Sequence, residues 1–229
     1  MTFAEHLRFN FLENKRYQFI FTGLKNTLLI SLFAVLIGIV LGFLVAIIRS
    51  THDRTKKLKL LDAVCRLYLT VIRGTPTMLQ LLIMYYVIFA TYDPGKLVVA
   101  ILAFGINSGA YVAEIMRSGI MSIDNGQMEA GRSLGLTYSQ TMLSVILPQA
   151  FKNVLPALAN EFIVLIKETS ICGYIGLMDL TRGGDIIRSQ TYEALFPLLM
   201  VALIYLILVV FLTFLVGRLE RRLRSSERK

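Results

Sequence analysis

Few side chains in this sequence have the type and spacing to do chemistry, and most of those lie inside apolar segments. Asn107, Tyr111 and Glu114 fall at i, i+4 and i+7, on one face of a helix. Arg117 follows Glu114 by three residues, and the two read as a structural ion pair near a helix end. A later segment carries Glu161 and Glu168 on one face, with Asn160 and Lys167 on the adjacent face. Lys167 and Glu168 read as gate or surface charges near a membrane interface. Ionisable groups within apolar segments are costly, which makes function the default reading. Two polar stripes on neighbouring segments suggest a hydrated path between them. His6 and His52 are isolated and flanked by charge, unlike a general base or a metal ligand. Cys65 and Cys172 lack CxxC spacing and read as buried free thiols. No catalytic residue and no metal site is expected.

The elements that must hold these stripes are membrane helices. Of 229 residues, 55% are hydrophobic, none is Trp, and the mean hydropathy is +0.65. Several windows carry roughly 18 or more nearly uncharged residues, enough to cross a bilayer core. The apolar runs are continuous rather than alternating, which excludes a β-barrel. The first 19 residues are mixed and charged, which argues against a cleavable signal peptide. The expectation is an all-α integral membrane protein forming one domain over 1–229. Its five spans would lie near 27–48, 76–92, 97–116, 154–177 and 196–216.

Positive charge predicts the sidedness. Arg49, Arg54, Lys56, Lys57, Lys59, Arg66 and Arg73 lie between the first two spans. Arg117, Arg132 and Lys152 follow the third, and six cations from Arg218 to Lys229 follow the fifth. The opposite loops hold only Arg8, Lys15, Arg16, Lys25, Lys96, Arg182 and Arg188. The richer side should be cytoplasmic, with the N-terminus outside and the C-terminus inside. The net charge of +9 then follows from topology, with anionic membrane lipid as a minor partner and no nucleic acid.

Ala34, Gly38, Gly42 and Ala46 form a small-residue stripe that lets another helix approach closely. It reads as packing within the subunit in preference to a dimer seam. Arg73–Pro76, RGTP, reads either as a helix restart or as a plain kink. In the first reading Gly74 breaks one helix, Thr75 caps the next and Pro76 begins it. The residues 58–72 would then form a separate helix at the cytoplasmic boundary.

The segment 124–149 is polar and punctuated by glycine, between two apolar spans. Asp124 or Asn125 can cap a helix running to Leu134, and Gly135 suits the left-handed position beyond its end. Thr137 and Gln140 have capping-box spacing for a second short helix, with Pro148 marking its approximate end. Helix, glycine corner and helix would make a rigid cytoplasmic knob.

That segment resembles the EAA loop of ATP-binding-cassette importer permeases, whose pattern is E-A-A, three residues, G, nine residues, then I-x-L-P. Glu129, Ala130, Gly131, Gly135, Val145, Leu147 and Pro148 keep the spacing, with Gly131 in place of the second Ala and Val145 in place of Ile. VIRGTPTMLQLL from Val71, INSGAYVAEIMRSGI from Ile106 and NEFIVLIKETS from Asn160 resemble the polar amino acid uptake branch. The resemblance implies a type I importer fold in a bacterial-type cell membrane. It implies that the knob docks on a cytoplasmic ATPase, with Glu129 and Gly135 as hallmark positions. The implied partners are two ATPase subunits, a second permease subunit (identical or related), an external solute-binding protein and an amino acid. ATP and Mg would be held by the ATPase, since the chain lacks a G-x-x-x-x-G-K-S/T sequence. Glu161 is then the first candidate to meet the substrate ammonium or a cationic side chain. Asn160, Asn107 and Tyr111 would supply hydrogen bonds, with Glu168 further along the path. The competing readings are an ion-driven secondary transporter, which needs its own coupling-ion site, and a membrane scaffold that transports nothing.

Overall fold

The computed structural model describes residues 2–225, so the tail cations Arg228 and Lys229 lie outside the described residues. The described residues that are not in turns or short links are all helical. A short helix α1 (Phe3–Leu7), opened by a Thr2–Glu5 capping box, leads through a wide π turn and a 3-10 turn into α2 (Tyr17–Thr55). At 39 residues α2 is about 58 Å long, well beyond the apolar layer. The sequence pattern at 27–48 marks only its most apolar part.

Helix α3 (Lys59–Gly74) is followed by α4 (Thr77–Ile83), which continues in a wide π turn over Met84–Ile88. The two arms bend by 110° at RGTP. The second arm spans only about 18 Å, too short to cross a core of about 30 Å alone. Among the described residues four helical runs are long and apolar enough to cross a membrane, and a fifth span is present if this broken pair counts as one. The segment expected as a span near 76–92 is helical over Thr77–Ile88, and it is the second arm of this broken pair. The expected cap is corrected. Pro76 is the N-cap, and the Thr75 hydroxyl donates back to the Val71 carbonyl at 2.7 Å.

Helix α5 (Lys96–Met121) leads to the short α6 (Asn125–Ser133) and α7 (Tyr138–Thr141). A π turn over Met142–Ile146 joins α7 to α8 (Leu147–Glu168), and the helical run continues as a 3-10 turn to Ile175. Pro148 therefore does not end a helix. The Leu147 N–H reaches back five residues to the Met142 carbonyl. That widened turn makes room for a proline ring and leaves no bond that its missing N–H must form. One run from Tyr138 to Ile175 results. Helix α9 (Leu180–Thr191) then caps the opposite end, and α10 (Leu195–Ser225) completes the chain.

Lipid tails are as apolar as leucine, so close packing must hold membrane helices together. Here it does so at the α2–α5 seam. A Cβ added at Gly38 would fall 2.6 Å from Ser108 Oγ, and one at Gly42 would fall 2.6 Å from Val112 Cγ1. Gly105 and Gly109 of α5 likewise receive Ile37 and Leu41 of α2. The small-residue stripe is thus an intrasubunit seam. Around it Ile30, Ala34, Leu81, Phe104, Leu165 and Cys172 form the buried core. At the other end, Asp179 caps α9 by accepting the Thr181 N–H at 2.9 Å, and Asn26 donates to the Met178 carbonyl at 2.7 Å.

Candidate functional site

Helices α5, α8 and α10 enclose an open cavity of about 910 Å³. Its mouth is lined by Ser122 just beyond α5, by Lys152 and Asn153 of α8, and by Glu220 and Leu223 of α10. Its deep end reaches Tyr111, Asn160 and Glu161. From Lys152 to Glu161 is nine residues of helix, or roughly 13 Å of depth. The mouth lies at the same end as the α6–α7 corner.

Glu161 is only 8% exposed, and its Oε1 accepts a 2.8 Å hydrogen bond from the Ser108 hydroxyl. Ser108 itself is held where the Gly38 backbone admits it, so the α2–α5 seam positions the partner of the buried carboxylate. Asn160 and Tyr111 face the cavity more openly. A cation joins them: Arg73, from the end of α3, lines the same cavity and stands 5.9 Å from the Tyr111 ring centroid. Arg73 Nη1 donates to Glu114 Oε2 at 3.1 Å, whereas the expected Arg117–Glu114 pair is wider, at 3.9 Å.

Two expected path residues lie elsewhere. Asn107 is buried away from the cavity lining, and its Nδ2 donates to Gln80 Oε1 at 2.9 Å. Gln80 in turn donates to the carbonyls of Ile72 and Thr75, so Asn107 braces the RGTP bend. Glu168 sits two turns beyond Glu161, half-buried and outside the lining. Among the described residues no group of three potential metal ligands converges.

The corner is built by local bonds. Asp124 caps α6 by accepting the Gly126 N–H at 2.7 Å. Leu136 N–H returns to the Gly131 carbonyl and Gly135 N–H to the Arg132 carbonyl, with Gly135 at φ +87°, which together make a Schellman end. Thr137 and Gln140 form a full capping box on α7. Glu129 and Ala130 are exposed, Gly131 is buried, Leu147 is half-buried and Pro148 is exposed. A Cβ at Gly131 would lie 2.5 Å from Thr141 Cγ2, which gives the departure from alanine a steric reason. At the tip Leu134 is 83% exposed, an apolar side chain left uncovered among the described residues.

Comparisons with known proteins agree with this geometry. A model of the binding-protein-dependent transport system inner membrane component matches residues 38–225. The arginine transport system permease protein ArtQ of Bacillus subtilis is 39% identical over 211 residues, covering 91% of this chain and 94% of that protein. The glutamine transport system permease protein GlnP of Escherichia coli is 37% identical over 205 residues, covering 88% of this chain and 91% of that one. A crystal structure of an amino acid ABC transporter with histidines superposes with a TM-score of 0.86 at 39% identity, covering 97% and 99% of the two chains. The MetNI methionine ABC transporter, with a TM-score of 0.74 at 21% identity over 90% and 97%, shares the fold. The chain belongs to the family of inner membrane components of binding-protein-dependent ABC transport systems, and is a multi-pass membrane protein of that class.

Proposed function

We propose that this permease carries a polar L-amino acid, cationic ones included, and that the α5–α8–α10 cavity is one half of its path. The observation behind this reading is a single cavity that presents both a buried carboxylate, Glu161, and a guanidinium, Arg73. An amino acid zwitterion needs both signs. Glu161 takes the ammonium group or a cationic side chain, while Arg73, Tyr111 and Asn160 take the carboxylate. Arg73 must then exchange Glu114 for substrate. That pair is about 40% exposed, and exposed pairs are worth about 0.2–1 kcal/mol, so the exchange costs little. The similarity to arginine and glutamine permeases supports this substrate class.

The corner of α6 and α7 is the docking knob, with Leu134 at its tip, and it seats in a groove of a cytoplasmic ATPase. Two such subunits hold the ATP and Mg and close on each other. Because one helical run leads from Tyr138 through Glu161 to Ile175, a push on the corner is delivered along the helix that carries the substrate carboxylate. With the positively charged side inward, the cavity is open to the cytoplasm. A second permease subunit covers its open flank, and an external solute-binding protein delivers the amino acid. Reconstitution with the co-purifying ATPase tests this reading. Uptake should require ATP. An ion-driven carrier would transport without ATP, and a scaffold would move nothing.

A further inference from the structure

The turn between α2 and α3 folds the densest basic stretch of the chain into a pocket that the transport path does not use. It measures about 430 Å³ and is lined by His52, Lys56, Lys59, Asp62 and Arg66. Asp62 is 3% exposed and organises the wall. It accepts from Arg66 Nε at 2.7 Å, with Arg49 Nε at 3.7 Å and His52 Nε2 at 3.8 Å. Arg49 Nε is buried and has no hydrogen-bond partner. Lys56 and Leu58 hold left-handed backbone, φ +56° and +60°, so the turn is kept in a conformation that non-glycine residues rarely adopt. The ammonium groups of Lys56 and Lys59 meet no carboxylate among the described residues. One carboxylate therefore shares the pocket lining with three permanent cations, Lys56, Lys59 and Arg66, an excess that attracts an anion.

The surroundings say which anion. The apolar candidate span of α2 ends at Asp53, just before this turn, and α3 begins with Leu60, Leu61, Val64 and Leu67 exposed, Leu60 at 78%. A soluble anion would need only the cations. An unpartnered apolar helix face directly beside them fits a molecule that is anionic at one end and aliphatic at the other. We infer that this pocket binds the phosphate headgroup of an anionic phospholipid, whose acyl chains cover the exposed start of α3. Arg66 and the two lysines grip the phosphate oxygens, and the bound lipid ties the first arm of the RGTP bend to the membrane surface.

The test uses the full chain purified in nonionic detergent and titrated, by native mass spectrometry, with phosphatidylglycerol, with phosphatidylcholine of the same chains, and with inorganic phosphate. Phosphatidylglycerol should be retained preferentially as one tight lipid. The double variant Lys56→Gln, Lys59→Gln should weaken it about 25-fold, at about fivefold for each interfacial cation. Lys56→Arg with Lys59→Arg should restore it, and Lys15→Gln with Lys25→Gln, at the far end of α2, should leave it unchanged. Equal retention of both lipids would overturn the inference, as would an unaffected double variant. So would displacement of phosphatidylglycerol by millimolar phosphate, which would make this a free-anion site, or by a second copy of the chain covering α3.

Discussion

Gly131 occupies a position where alanine would be expected from the resemblance, and the structure predicts what restoring alanine would do. An added methyl would lie 2.5 Å from Thr141 Cγ2 and 2.8 Å from Thr141 Oγ1. Overpacking of this kind costs about 1–3 kcal/mol. Alanine regains about 0.8–1 kcal/mol of helix propensity over glycine. Gly131→Ala alone should therefore destabilise the corner by up to about 2 kcal/mol. Thr141→Ala removes both clashing atoms and sacrifices one bond, from Thr141 Oγ1 to the Thr137 carbonyl, worth about 1 kcal/mol. In the double variant the propensity gain survives and the clash does not, so the two changes should couple favourably by the clash itself, about 1–3 kcal/mol. Hydrogen exchange at Gly135 and Leu136, the two amides that close the Schellman end, reads this directly. Exchange should quicken up to about 30-fold in Gly131→Ala, while the double variant should exchange about four- to fivefold more slowly than Thr141→Ala, the surviving propensity gain. Additive effects, or unchanged exchange in Gly131→Ala, would refute the steric account of the corner.

Four further outcomes follow. Glu129→Lys or Gly135→Trp should abolish association with the ATPase in pull-down while the chain still inserts; the second also costs about 1–2 kcal/mol through its φ of +87°. Gly42→Leu should drive α2 off α5 at Val112 and lower the yield of folded protein on size-exclusion chromatography. Burial pushes the Asp179 carboxyl up to about 6 from the usual 3.8, so the folded chain holds its proton more tightly than the unfolded one. Stability should fall as pH rises through that window, by roughly 3 kcal/mol when complete, and Asp179→Asn should melt higher than the parent at pH 8 with the gap closing near pH 4. Pro148→Ala should leave the run from Tyr138 to Ile175 helical by circular dichroism, because the π turn and not the proline shapes that junction.

What the sequence made legible was mostly local. The Thr137–Gln140 box and the Gly135 corner bond within a few residues, so their side chains announce them. The small-residue stripe announced close packing but not its partner, because Gly38 and Gly42 carry no mark of Ser108 and Val112, about 70 residues away in the chain. Asn107 looked like a path residue because an amide in a span is polar whichever way it points; only Gln80, 27 residues earlier, reveals it as a brace. Ser108 is one small residue among several in α5 and Arg73 belongs to a turn motif, so neither stands out in the sequence, yet these two bond to the carboxylates of the cavity. Pro148 misled because a proline breaks an α-helix but fits after a π turn, and nothing in MLSVI signals the widening.

Glu161→Gln is the most direct test of the path, since the amide keeps the shape and can still accept from Ser108 while losing only the charge. A charge-assisted bond to a substrate ammonium is worth about 1.5–3 kcal/mol, or roughly 10- to 150-fold in affinity. The measurement is ATP-dependent uptake of radiolabelled arginine, lysine, histidine and glutamine into proteoliposomes holding the permease with its ATPase and binding protein. Uptake of the cationic substrates should fall by that factor while basal ATP hydrolysis continues. Wild-type uptake of every amino acid by the variant would contradict the assignment of Glu161 as the substrate carboxylate.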